Sequence, residues 1–158
     1  MRKILVSACL MGINTRYDGR SRSIDHPILA QWRREDRLIP FCPEVEGGLS
    51  IPRQSAEIRM STTGVRRVVG QDGSDLTEPF SAGADSLLEL VLREAITTAI
   101  FKDKSPSCGV HRIFDGTFSG QLVKGSGIAT ERLSKHGVRI FSETEIVEAY
   151  RHWKDQIN

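Results

Sequence analysis

The sequence predicts an α/β fold of one domain, a parallel or mostly parallel sheet with helices on both faces. Three observations predict it. Short, nearly continuous apolar runs read as strands buried on both sides, segments of helical period lie between them, and the two kinds alternate along most of the chain. A length of 158 residues fits a single domain over 1–158, large enough to bury a hydrophobic core without staples.

Ile4 to Ala8 is the first apolar run, and it opens into a polar, glycine-containing loop from Cys9 to Ser23. The run is too short, and too soon interrupted by Gly12, Asn14, Arg16 and Asp18, to be a signal peptide. His26 to Asp36 has helical spacing through Ile28, Leu29 and Trp32, and Leu38 to Phe41 is a second strand ending at Cys42. Pro43 to Ala56, with two prolines and the Gly47-Gly48 pair, reads as a structured loop, and Val65 to Val69 as a short strand or hairpin arm. Asp75 or Thr77 caps a helix running to about Ala95, with Pro79 in its first turn and Phe80, Ala84, Leu87, Val91 and Ala95 on one face.

Thr98 to Phe101 is another strand, followed by a loop from Lys102 to Gly109 that contains Cys108. Five glycines between Gly109 and Gly127, with the Asp115-Gly116 turn signal, predict a hairpin or flap. Ile128 to His136 reads as a short helix closed by Gly137, and Val138 to Phe141 as a last strand. Ser142 and Glu145 form a capping box for a final helix bearing Ile146, Ala149, Tyr150 and Trp153 on one side. The whole is Rossmann-like, and sheets of this kind place ligands outside the C-terminal ends of their strands.

Composition narrows the function. Twenty-two basic and 20 acidic residues leave a net charge of +2, which gives no strong nucleic-acid signal and no particular membrane attraction. No apolar run approaches the roughly 20 residues of a membrane span. Three cysteines without an export signal point to a reducing cytoplasm, where thiols serve as ligands or nucleophiles more often than as disulfides. Oligomeric state leaves no mark on the sequence.

Cys9, Cys42 and Cys108 each stand just beyond a predicted strand, so the topology brings three distant thiols to one edge of the sheet. Three thiolates with no obvious fourth ligand describe an open site for iron-sulfur or zinc chemistry, with one coordination position left for a substrate. The competing reading makes each cysteine a small buried hydrophobe, and the equivalent positions of all three weigh against it. Pro43 beside Cys42, and Pro106 and Gly109 around Cys108, suit loops held rigid for ligation. The spacing lacks the compact pairs of a zinc finger or ferredoxin. His111 is a possible fourth ligand of a zinc site, set against an exposed-loop reading. Gly125-Ser126-Gly127 before a helix is either a crude phosphate cradle or a packing feature.

Longer blocks carry a resemblance. VSACLMG, RYDGR, CPEVEGGLSIPR with Glu57 after it, DKSPSCG and FDGTFSGQLVKGSGIAT together resemble a bacterial domain-of-unknown-function family that includes the iron-sulfur thiouracil desulfidases. The resemblance implies a [4Fe-4S] cluster held by Cys9, Cys42 and Cys108, with one iron free to take the sulfur of a thiolated pyrimidine. It also implies catalytic roles for Glu44 and Ser105. Some relatives carry an extra cysteine before the RYDG block, where this chain has Thr15.

Beside those implied roles, Tyr17 and Asp18 share the first cysteine's loop, where one could stack on a base and the other accept a ring N–H, or both could simply shape a turn. Glu46, Gly47 and Gly48 permit close backbone approach to cluster or substrate, Ser105 or Ser107 can bond a pyrimidine edge or the cluster's sulfides or merely cap a turn, and Arg53 and Glu57 can pair in the same wall. The expected function is therefore removal of sulfur from thiolated uracil or a related thioamide, giving the carbonyl product and sulfide by non-redox chemistry. The alternative is a noncatalytic iron-sulfur sensor or a zinc-stabilised binding module.

Overall fold

The computed structural model describes residues 2–156, so the ends of the expected 1–158 domain lie outside the described residues. Its centre is a four-stranded parallel sheet in the order β2-β1-β5-β8, formed by β1 (Ile4–Ser7), β2 (Leu38–Phe41), β5 (Thr98–Phe101) and β8 (Arg139–Ser142). Residues alternate between the two faces, as the two-residue period of a strand requires. Ile4, Val6, Ile100 and Phe141 pack under α1 (Pro27–Arg34) and α5 (Ile146–Asp155), where Trp32 and Trp153 meet edge to face. Leu5, Ala99 and Phe101 pack under α3 (Thr77–Glu94) and α4 (Ile128–Ser134) with Leu87, Val91 and Leu133. Each fully buried large aliphatic side chain contributes about 1.5–3 kcal/mol.

The helix starts follow the sequence only in part. The His26 ring accepts the N–H of Ile28 at the start of α1, and Asp75 accepts that of Thr77 at the start of α3. Glu145 Oε1 reaches back to the Ser142 N–H, although α5 begins only at Ile146. Two elements depart from expectation. The loop from Pro43 opens with a single helical turn, α2 (Pro43–Glu46), because proline at its first position and two acidic side chains suit a helix start. The stretch after it contains a strand, β3 (Ala56–Met60), which pairs antiparallel with β4 (Arg66–Gly70). The expected flap is a second hairpin, β6 (Arg112–Phe114) with β7 (Leu122–Lys124).

From β1 the chain steps one way to β2, then crosses back to β5 and β8 on the other side. The crevice at that reversal lies beyond the C-terminal ends of β1 and β5, and both hairpins sit at this level of the fold through their contacts with the cavity there.

Candidate active site

Three loops bring the thiols together. Cys9 lies in a 3-10 turn (Ala8–Met11) directly after β1, Cys42 directly after β2 at the start of α2, and Cys108 in the loop after β5. All three are free and line one cavity of about 650 Å³. Burial raises every one of them: Cys9 is pushed up to about 11, and Cys42 and Cys108 are raised as well. Each thiol is also made harder to ionise by a neighbour, Cys9 and Cys108 both by Cys42, which marks a shared site. Opposing this, Lys102 and Arg16 favour the thiolate at Cys9, the backbone N–H of Val45 favours it at Cys42, and the Ser7 and Ser107 hydroxyls favour it at Cys108.

Glu44 on α2 is fixed from two sides at the cavity wall. Arg53 donates from Nε to Oε1 at 3.0 Å, and Ser107 donates its hydroxyl to Oε2 at 2.7 Å. The same Ser107 oxygen lies 3.7 Å from the Cys108 sulfur. Arg53 is further anchored on the carbonyls of Thr15 and Ser50, at 2.8 and 3.1 Å. The expected Arg53–Glu57 pair is therefore replaced by Arg53–Glu44. A second cavity of about 570 Å³ meets the first at Glu44, Arg53, Ala56 and Gln71.

The Cys108 loop is built by its neighbours. Ser105 Oγ accepts the N–H of Ser107 and of Cys108, both at 3.1 Å, and Asp103 Oδ1 accepts those of Lys104, Val110 and His111. Those bonds hold Asp103 below the usual carboxylate range against its partial burial. Ile128 and Ala129, at the start of α4, donate to the carbonyls of Pro106 and Ser107. Gly127 is required there because a Cβ would stand 2.4 Å from the Ser107 carbonyl. The Gly125-Ser126-Gly127 segment thus packs against the cysteine loop, and its following N–H groups are already bonded, so the phosphate-cradle reading is set aside.

Of the residues expected at the site, Cys9, Cys42, Cys108, Glu44, Ser105, Ser107 and Tyr17 line the larger cavity. Asp18 and Gly48 do not. The Asp18 carboxylate is taken up by Arg16 and the Arg20 N–H, the turn that its sequence also allowed. Gly48 takes a left-handed backbone with open space around it, while the close approach in that loop belongs to Gly47, whose Cβ would meet the Pro79 carbonyl of α3 at 2.0 Å. His111 is exposed and pairs with Glu145 away from the cavity, so it does not complete a three-cysteine zinc site. Among the described residues no three His, Cys, Asp or Glu side chains stand close enough to hold a single ion.

Several contributors escaped the sequence reading. Lys102 lines the cavity and pairs with Glu143 at 3.0 Å, and Phe118 reaches the cavity from the β6–β7 turn. Gly83 of α3 faces Pro43 so closely that a Cβ would lie 1.8 Å from its carbonyl oxygen, which lets α2 seat Glu44. A glycine inside an otherwise strong helix was the available signal.

An α/β scaffold that gathers three free thiols and an anchored glutamate around one cavity at its switch point has the organisation of an enzyme's active site. The chain belongs to the 2-thiouracil desulfurase family, whose model matches residues 4–145. It is 38% identical over 151 residues to the uncharacterized protein YbbK of Bacillus subtilis (strain 168), covering 90% of this chain and 97% of that protein. The solved structure of the [4Fe-4S]-dependent thiouracil desulfidase TudS (DUF523Vcz) superposes with a TM-score of 0.92 at 42% identity, over 98% of this chain and 99% of that one.

Proposed function

We propose that this protein is a [4Fe-4S]-dependent desulfidase that converts a thiolated uracil, or a related thioamide, and water into the carbonyl product and sulfide without net redox change. The observation that carries the reading is the convergence of Cys9, Cys42 and Cys108, from three separate strand ends, on one cavity walled by an anchored Glu44. The donor set suits a cluster. The thiols share a cavity yet do not close on a single ion, and three sulfurs leave a fourth metal position open. When bound, such a cluster supplies an exposed soft iron for a thiocarbonyl sulfur.

The chain's own residues do the rest. Cys9, Cys42 and Cys108 would hold three irons. Glu44, gripped by Arg53 and Ser107, cannot swing away, so its carboxylate stays at the wall to take a proton from water and return one to the substrate ring or the departing sulfide. Ser107 links that carboxylate to the Cys108 loop, while Ser105 holds the loop's backbone, so Ser105 supports the site and Ser107 is its polar contact. Lys102 and Arg16 supply positive charge beside Cys9. Tyr17 offers an aromatic edge to a pyrimidine. The free thiols support a reducing cytoplasm, and no described helix is long and apolar enough to cross a membrane.

Anaerobic cluster reconstitution followed by 2- or 4-thiouracil turnover, watched through loss of the thiocarbonyl absorbance, tests the reading. Turnover is expected for the parent and abolished by Cys108→Ser. Full turnover in that variant contradicts the ligand assignment, and no turnover in the iron-loaded parent contradicts the activity.

A further inference from the structure

Glu57 is a buried carboxylate on β3, only 9% exposed, that the chemistry above does not use. It lines the cavity with the three thiols. Its Oε1 accepts two backbone N–H groups from the β6–β7 turn, Gly116 at 3.0 Å and Phe118 at 3.1 Å. Its Oε2 meets no hydrogen-bond donor among the described residues. Oε2 is not one of the buried unpaired atoms, so it is open on the cavity side and keeps its acceptor capacity for a ligand.

The turn it grips is pressed against β3. Arg59 donates to the Gly116 carbonyl at 2.8 Å, and a Cβ on Gly116 would stand 2.7 Å from the Ile58 carbonyl. Phe118 holds a left-handed backbone with φ of 57°, which a bulky residue adopts only under outside constraint. Glu57 provides that constraint, and the result is an aromatic ring in the cavity wall.

We propose that Glu57 is a substrate-binding residue with two tasks: Oε2 accepts a ring N–H of the pyrimidine, and Oε1 pins the turn that presents Phe118 as a stacking face for the same ring. The proposal rests on the desulfidase reading for its substrate. A uracil ring matches both features, being planar and carrying N–H donors that a carboxylate recognises.

Glu57→Gln separates the two tasks. The amide oxygen can still accept from Gly116 and Phe118, but an NH₂ group replaces the free acceptor and faces the ring N–H donor to donor. Three measurements on the anaerobically purified full chain decide it: equilibrium binding of uracil, KM and kcat for 2-thiouracil, and amide exchange at Gly116 and Phe118. Glu57→Gln is expected to weaken uracil binding and raise KM by about tenfold or more, with kcat within about threefold and exchange unchanged. Phe118→Ala is expected to weaken uracil binding about tenfold. An N-methylated uracil lacking the recognised N–H should bind the parent weakly and lose nothing further in Glu57→Gln. Uracil binding by Glu57→Gln equal to the parent's, or faster exchange at the turn in that variant, overturns the proposal. So does a parent chain that binds no uracil. A parent that binds uracil in this Glu57-dependent way but turns over no thiouracil supports the binding role and refutes only the activity.

Discussion

Replacing Arg53 by Met tests the clamp on Glu44. The guanidinium is nearly buried and joins three segments at once, the Glu44 carboxylate of α2 and the carbonyls of Thr15 and Ser50. Removing one partner of a buried ion pair typically costs about 3–5 kcal/mol, chiefly because the other charge stays behind unpaired. Here Glu44 keeps its bond from Ser107 and borders two cavities that water can enter, so the lower end applies, about 3 kcal/mol. With a urea slope of about 2 kcal/mol/M for a chain of this size, the unfolding midpoint should fall by about 1.5 M. Glu44→Gln alone should cost less, because it leaves no buried charge without a partner beyond a cation that retains two carbonyls. The double variant should fall short of the sum of the single effects by about 1.5 kcal/mol or more. Anaerobic urea unfolding followed by tryptophan fluorescence measures all four proteins. An Arg53→Met midpoint within about 0.25 M of the parent, or strict additivity, refutes the clamp.

Further outcomes follow from other parts of the fold. Gly83→Ala gains about 1 kcal/mol of helix propensity, yet its methyl would collide with the Pro43 carbonyl. It should therefore lower stability and cut thiouracil turnover at least tenfold by displacing α2, and a stabilised, fully active variant would contradict that packing. Leu87→Ala empties a fully buried position under the sheet and should cost about 2–5 kcal/mol in urea unfolding. In the reduced, metal-free chain, a Cys9 thiol near 11 instead of 9.0 should alkylate about a hundredfold more slowly at pH 8 than an ordinary thiol, as peptide mass mapping would show. Burial and Arg139 hold His152 below 6.5, so the unfolded chain takes up a proton that the folded chain refuses. Stability should fall as pH drops below about 6.5 and be flat above it on this account; a His152→Asn variant that keeps the parent's slope between pH 7 and 5 would assign the loss elsewhere.

Much of this was legible in the residues. The strands at Leu38–Phe41 and Thr98–Phe101 stand where continuous apolar runs placed them, and the helix from Thr77 buries Phe80, Ala84, Leu87 and Val91 as expected, but it ends at Glu94 and leaves Ala95 exposed as a left-handed cap. The position of each cysteine at a strand end was also readable, because buried parallel strands direct their following loops to one side of the sheet. What escaped depends on distant pairings. Ala56–Met60 has polar and charged alternate residues, so it becomes a strand only through β4. Arg53 could be seen to need a carboxylate, but Glu44 and Glu57 are both near in sequence, and only the turn of α2 decides between them. Asp18 could face a substrate or fix a turn, and the bonds from Arg16 and the Arg20 N–H that take up its carboxylate depend on a loop shape the residues alone do not specify. Phe118 was invisible because its place in the wall is imposed by a carboxylate 61 residues earlier.

The most direct test of the central claim is native mass spectrometry of the anaerobically purified chain beside its Cys9→Ser, Cys42→Ser and Cys108→Ser variants. The account predicts one [4Fe-4S] mass increment on the parent and its loss or marked depletion in every variant. A parent that carries a single zinc ion, or a cluster that survives intact when any one of the three thiols is removed, contradicts it.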